Sequence, residues 1–111
     1  MGTPFEELAN LDKFIHEPAR LAILTALSAC ESADFLFLKR LTGLSDGNLS
    51  SHVIKLEEAG LVEIQKQFID KKPSTQIRIT SRGITAIQKH WEQLSSIKMN
   101  AAQWKKDQIE K

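Results

Sequence analysis

A three-residue break between two amphipathic segments, followed by a change of hydrophobic period, constrains this fold most strongly. Gly43, Leu44 and Ser45 separate "DFLFLKRLT" from "DGNLSSHVIKLEE". Glycine enters the left-handed conformation that ends many helices without a Cβ penalty, and serine is a favoured N-cap. The sequence therefore predicts a helix that ends at Gly43 and another that begins directly after Ser45, across a tight turn.

The second helix of this pair should have one apolar side and one polar side. Leu49, Val53 and Leu56 recur at i, i+4 and i+7, which predicts the face that packs on the core. Gly60 is placed to end the helix, and Leu61 can fold back on Leu56 in a Schellman-type ending. The other side carries short polar side chains, which are only middling helix formers.

After Gly60 the apolar residues alternate instead of recurring every three or four positions. "LVEIQKQFI" and "QIRIT" each read as a strand with one apolar face. The basic, turn-rich "DKKPST" lies between them at residues 70–75. We therefore predict a β-hairpin whose loop spans 70–75.

Helices are also predicted on both sides of this unit. The first carries the stripe Phe5, Leu8, Leu11 and Ile15 and ends at "HEP", because the residue before a proline avoids the helical region. The second begins at Pro18 and should be largely buried. The last begins at Thr80 or Ser81 and extends almost to the C-terminus. A short strand at the start of "FLFLKRLT" is left open by its extra apolar residues, Leu36 and Phe37.

The predicted order is helix, helix, helix–tight turn–helix, basic hairpin and long helix, which describes a winged helix-turn-helix. The chain has 111 residues, of which 41% are hydrophobic and 26% charged, as expected for one globular domain. We predict a single mainly α (α+β) domain over residues 1–111, with a two-stranded β wing and extended terminal helices.

Composition also bears on partners and compartment. No apolar run approaches the ~20 residues of a membrane span, no secretory signal pattern is present, and the single Cys30 excludes an internal disulfide framework. We therefore expect a cytoplasmic protein without membrane contact. The formal net charge is only +1, so binding to nucleic acid must rest on local charge. Between Lys39 and Arg82, eight basic residues oppose five acidic ones.

The same segments resemble known bacterial regulators. "HEPARLAILTALSA" resembles the opening helix of ArsR-type and related winged-helix proteins, and "LTGLSDGNLSSHVIKLEEAGLVE" is similar to their helix-turn-recognition-helix unit. "DKKPSTQIRITSRGITAI" resembles the MarR-type wing. The resemblance, which covers roughly Ile15 to Trp91, implies a homodimeric transcriptional regulator that binds operator DNA, often as a repressor. Lys71 and Lys72 depart from it, because MarR-type wings usually carry arginine there. The cysteine-rich metal-binding segment of ArsR-type metal sensors is absent.

A helix that enters the major groove needs short polar side chains near its N-terminus, so that its backbone can approach the bases. Residues 45–59 fit this role, with Asp46 as a cap and dipole partner. Asparagine suits adenine, serine suits bases or phosphates, and histidine and lysine suit phosphates. An ordinary solvated face is the competing interpretation for any one of them. The candidate DNA-binding residues are Asn48, Ser50, Ser51, His52, Lys55, Lys71, Lys72 and Arg78.

The terminal helices, over residues 1–16 and 84–111, are predicted to contribute to dimerisation. Trp91 and Trp104 are large apolar side chains that a small domain has little else to cover. Pairing them with the N-terminal apolar stripe of a second copy would form a two-fold interface. The alternative is that the last helix packs back on its own core.

The sequence does not favour an enzyme or a cofactor site. His16, His52 and His90 show no metal-binding spacing, and the adjacent Ser51 and His52 point apart on a helix. Cys30 lies at the end of a buried helix without basic neighbours, so a structural cysteine is preferred to a redox sensor. Two other functions stay open: a winged helix that binds proteins instead of specific DNA, and a switch that responds to an unknown small-molecule effector.

Overall fold

The elements follow one another as the sequence predicts, with one strand added. The computed structural model describes residues 2–106. Their helices and strands are α1 (Pro4–Ala9), α2 (Pro18–Cys30), β1 (Ser32–Asp34), α3 (Phe35–Thr42), α4 (Asp46–Glu58), β2 (Val62–Ile69), β3 (Lys72–Ile79) and α5 (Ser81–Ala102). The part of the predicted C-terminal helix beyond residue 106 lies outside the described residues.

The helix-turn-helix forms through the caps that the sequence predicts. Gly43 has a φ of +70° and its N–H donates to the carbonyl oxygen of Lys39, which ends α3. The hydroxyl of Ser45 accepts from the backbone N–H of Asn48 at 3.2 Å and begins α4. Gly60, with a φ of +79°, ends α4 in the predicted Schellman arrangement. These local predictions are confirmed.

The sheet is antiparallel and has the strand order β1-β3-β2. The predicted two-stranded wing is present as the β2–β3 hairpin, in which Val62 pairs with Ile79 and Ile69 pairs with Lys72. The sequence did not predict β1, which pairs Ser32 with Arg78 across only three positions. Three residues are too few to establish a hydrophobic period, so pattern alone does not detect such a strand.

The loop of the hairpin is shorter than predicted. Only Asp70 and Lys71 lie between the strands, with φ values of +52° and +65°. Two left-handed residues in a two-residue loop form a type I′ turn, whose twist matches that of the paired strands. Residues 72–75, which the sequence placed in the loop, therefore extend β3.

The core lies where α2, α4 and the base of the sheet meet. Leu49, Val53 and Leu56 of α4 are buried, as predicted from their spacing. They pack in one cluster with apolar residues of α2 and β3, namely Ile23, Leu24, Leu27, Ile77 and Ile79. The burial of one side of α4 leaves its opposite side toward solvent.

The N-terminal helix is shorter than predicted. Helix α1 ends at Ala9, and Leu11 and Ile15 are buried beyond it. The Asp12 carboxylate accepts from the backbone N–H groups of Phe14 and Ile15, so a new turn begins there instead of the helix continuing. Helix α1 packs against α5 of its own chain.

Helix α5 begins at a junction shared with the end of α4 and the start of β2. The hydroxyl of Thr80 accepts from the N–H of Gly83 at 3.0 Å and donates to the carbonyl oxygen of Gly60 at 2.7 Å. The backbone N–H of Thr80 also donates to the carbonyl oxygen of Leu61 at 3.0 Å. A Cβ on Gly83 would overlap that same carbonyl oxygen. This site, which we call the Thr80 junction, fixes α5 directly to the helix-turn-helix. None of the described helices is long and apolar enough to cross a membrane.

Candidate nucleic-acid interface

The outward side of α4 carries half of the predicted contact residues. Asn48, Ser50, Ser51 and Lys55 are all exposed, and Gly47 beside them has open space around its Cα. Because the buried stripe fixes the rotation of the helix, these residues share the surface that points away from the core. The first turn of α4 therefore presents short polar groups and an approachable backbone.

The acidic residue at the start of α4 is paired. The Asp46 carboxylate lies 2.9 Å from the Lys39 ammonium of α3. Asp46 also lies in the first turn, where a negative charge is favoured by the helix dipole. The pair therefore offsets the one negative charge near the polar end of α4.

His52 is not free on the outward side of α4. Its ring is half-buried, and its Nδ1 lies 3.1 Å from Nη1 of Arg20 and 3.8 Å from a carboxylate oxygen of Glu17. Arg20 also donates from Nε to the carbonyl oxygen of Phe14 at 2.7 Å. His52 therefore joins α4 to the start of α2. Sequence reasoning missed Arg20, because only the fold brings it to α4.

Glu17 is the charged partner in this cluster. Burial raises its pKa, but the backbone N–H of Arg20 and the positive charges of His52 and Arg20 outweigh burial. The net result is a pKa below the ordinary value for glutamate. Glu17 therefore stays ionised beside the two basic side chains.

A groove of about 320 Å³ separates α4 from the wing. Ser50 and Ile54 line it from the helix, and Lys66 and Thr75 line it from the strands. Ile54 is 48% exposed. Ile54 and Lys66 are not among the contact residues that the sequence predicts, although Ile54 is apolar and does not fit the buried stripe.

Two of the three basic residues predicted in the wing lie at its tip. Lys71 lies in the turn and Lys72 follows it, and both are exposed. Arg78 instead lies near the base of β3, in register with Glu63. Since its neighbours Ile77 and Ile79 face the core, Arg78 points to the other side of the sheet. The structure therefore does not bring Arg78 together with α4 and the tip of the wing.

Residues 19–98 match the family model described as the winged helix DNA-binding domain. The chain belongs to that family. The predicted winged helix-turn-helix fold and the resemblance to winged-helix regulators are thereby confirmed. The matched segment of this winged helix domain begins in α2 and ends in α5, so it contains α4 and the whole wing.

Relatives of this winged helix domain include transcriptional regulators. An uncharacterized protein of Methanocaldococcus jannaschii is 35% identical over 88 residues, which are 79% of this chain and 96% of that protein. The HTH-type transcriptional regulator YgaV of Escherichia coli is 36% identical over 61 residues, 55% of this chain and 62% of that regulator. The solved structure of a transcriptional regulator homologue from Pyrococcus horikoshii OT3 has a TM-score of 0.76 and 31% identity, and the match covers 83% of this chain and 93% of that one. None of these three proteins is named as an enzyme.

The fold is also shared with a more distant solved structure. The MarR-family regulator from Silicibacter pomeroyi has a TM-score of 0.63 and 22% identity, over 84% of this chain and 64% of that one. At this identity the similarity concerns the fold alone.

An apolar groove of about 840 Å³ lies on the other side of the winged helix domain, between α2, α3 and α5. Its lining includes Leu21, Phe37 and Trp91, and the indole N–H of Trp91 donates to the hydroxyl of Thr25 at 3.0 Å. Cys30 also lines this groove and is exposed, although it ends a helix that the sequence predicts to be largely buried. Helix α2 buries one stripe and leaves its other side, including this cysteine, outside the core.

Two histidines that are far apart in sequence form a contact beside the N-terminal segment. Nδ1 of His16 lies 2.9 Å from Nε2 of His90, and His90 is only 3% exposed. Burial, and then the positive charge of His16, lower the pKa of His90, while Asp12 opposes them. Within residues 2–106, no group of three or more His, Cys, Asp or Glu side chains could hold a metal ion. The contact between His16 and His90 joins α5 to the segment between α1 and α2.

Proposed function

We propose that this protein is a homodimeric transcriptional regulator, acting as a repressor, that inserts α4 into the major groove of its operator. The observation that carries the proposal is the outward side of α4, where a capped N-terminus, an unobstructed glycine and short polar side chains occur together. Such a surface allows close approach to base edges. A protein-binding surface would be expected to present more apolar and aromatic side chains.

The proposed contacts divide into base readers and phosphate ligands. Asn48 is proposed to pair with an adenine, and Ser50 and Ser51 to contact bases or phosphates. Lys55 on the helix and the wing-tip residues Lys71 and Lys72 are proposed to contact phosphates, with the wing on the backbone or in the minor groove. These side chains are exposed, which leaves them available to DNA.

Two predicted residues take a different place in this proposal. His52 contacts Arg20 and Glu17, so we assign it to holding the angle of α4 instead of to binding a phosphate. Arg78 lies on the far side of the sheet opposite Glu63, so we leave it out of the proposed interface. We include Lys66 in the proposed interface in place of Arg78, because Lys66 lines the groove beside α4.

The homodimer is proposed to form through α1 and α5. In the single chain, Phe5 contacts Trp104 edge to face with ring centroids 5.1 Å apart. The two terminal segments thus contact each other within a protomer, and Leu8 of α1 and Met99 of α5 are exposed. A two-fold interface there would set two α4 helices about 34 Å apart, one turn of DNA. Sedimentation equilibrium tests this proposal, and a monomer at micromolar concentration contradicts it. A response to an unknown small-molecule effector stays an open alternative.

Selection of bound sequences from random duplex DNA tests the proposed function. Wild type should enrich a pseudo-palindromic site. Asn48→Ala should lose preference at one position per half-site, about 1–3 kcal/mol of discrimination. Replacement of Lys71 and Lys72 by Ala should weaken binding to all sequences alike.

The control for charge is Arg78→Ala, which removes an exposed positive charge on the side of the sheet that faces away from α4. This control should bind DNA as wild type does. Failure of wild type to bind any duplex at low salt would overturn the proposal and favour the protein-interaction alternative.

A further inference from the structure

Ile54 is an apolar side chain in an otherwise polar position. Among the residues of α4, all of which the structure describes, it is the one apolar residue that is not buried. It lies one helical turn after Ser50 and Ser51 and two turns after Gly47, so it continues the surface that these residues begin. An isoleucine at 48% exposure contributes only part of its apolar surface to the fold.

The surroundings of Ile54 indicate what would cover it. Its groove lies between α4 and the wing, and the lining combines the polar Ser50, Thr75 and Lys66 with apolar side chains that include Phe35 and Ile64. Lys66 is the cation that lines this groove together with the isoleucine. An exposed apolar side chain beside a lysine suits a polyanion that carries small apolar groups, and the major groove of DNA has this composition.

We propose that Ile54 reads the C5-methyl group of a thymine in the operator. Thymine is the base that presents a methyl group in the major groove, and apolar side chains are its ordinary contacts. Isoleucine is stiff at χ1 in a helix, so its Cγ2 methyl group is held in one place before DNA arrives. The inference rests on the proposed function, since it requires α4 to enter the major groove.

Replacement of thymine by deoxyuridine tests the inference, because it removes one methyl group and leaves the hydrogen bonds of the base pair unchanged. Each thymine of the selected operator is replaced in turn, and the Kd is measured by fluorescence anisotropy. For wild type, the replacement should raise the Kd about fourfold at one position per half-site. This is the loss of affinity expected when one buried carbon group is removed. Ile54→Ala should show no loss at that position, and Ile54→Val should show an intermediate loss.

The matched control is Ile69→Ala, which removes an isoleucine of nearly equal exposure, 50%, from the wing. Its ratio of Kd values for deoxyuridine and thymine should equal that of wild type at the position that Ile54 reads. Thermal melting of each variant establishes that it is folded.

Two results would overturn the inference while the proposed function stands. In the first, wild type binds its operator but is indifferent to deoxyuridine at every position. In the second, Ile54→Ala retains the wild-type ratio at every position. Absence of binding to any duplex would instead overturn the proposed function, so the two failures are distinguishable.

Discussion

The glycines at positions 47 and 83 provide a matched pair of substitutions with opposite expected results. Both lie in the first turn of a helix with ordinary negative φ, so alanine is compatible with the backbone at each. A Cβ on Gly47 would meet nothing within 4 Å. A Cβ on Gly83 would overlap the carbonyl oxygen of Leu61 and lie 2.7 Å from Cγ1 of Ile79.

The free energies of unfolding should change in opposite directions. At Gly47, alanine restricts the unfolded chain and favours the helix, which stabilises by about 0.5–1 kcal/mol. At Gly83, the same gain is outweighed by overpacking, which costs about 1–3 kcal/mol and tends to the upper end here. The obstacle is a backbone carbonyl held by the N–H of Thr80, so it cannot rotate away. We expect a net loss of about 2 kcal/mol.

Thermal melting followed by circular dichroism, at one protein concentration, measures both changes. With an unfolding entropy of about 0.23 kcal/mol/K for a chain of this length, Gly83→Ala should melt about 9 °C lower and Gly47→Ala about 2–4 °C higher. A Gly83→Ala protein that melts at or above the wild-type temperature refutes the account of the Thr80 junction. Gly47→Ala should also bind DNA more weakly despite its higher stability, since its methyl group would stand between the backbone and the bases.

Three further predictions concern charge. Lys39→Met should weaken DNA binding several-fold at low salt, because Asp46 loses its ion-pair partner and its negative charge then repels the phosphates. Adding Asp46→Asn to this variant should restore the affinity, as measured in an anisotropy titration. Since the pKa of His90 is lowered, the unfolded chain takes up a proton first as the pH falls. The free energy of unfolding, measured with urea, should therefore have its full value above about pH 6.5 and decrease as the pH falls through the folded pKa of His90. In His90→Gln it should change less with pH. Replacing Lys71 and Lys72 by Ala should make the slope of log K against log salt shallower by about 0.9 for each phosphate that the wing no longer neutralises, and an unchanged slope would place the wing away from DNA.

The features that the sequence predicted well depend on residues close together in the chain. The caps at Gly43, Ser45 and Gly60 each satisfy backbone groups within five positions, so their chemistry is visible in a short window. The buried stripe of α4 follows from helical geometry in the same way. That stripe in turn predicted which side of α4 is exposed, which is most of the candidate site.

The features that the sequence missed depend on long-range packing. His16 and His90 are 74 positions apart, and Arg20 reaches His52 across 32 positions. Arg78 is a different case, because its alternation with Ile77 and Ile79 already indicates the side of the sheet on which it lies. Its positive charge favours DNA binding, but a count of charges does not record direction.

The Thr80 junction has a consequence for the length of operator that the proposed homodimer accepts. Helix α5 starts within hydrogen-bonding distance of the residues that end α4, so no loop between them can act as a hinge. A rotation at the far end of this 22-residue helix, about 33 Å away, would be transmitted to α4 instead of being absorbed. One base pair inserted between the half-sites displaces one of them by about 3.4 Å and turns it by about 35°. The proposed homodimer would therefore accept one spacing between half-sites, and an operator with another spacing would have to twist in order to bind.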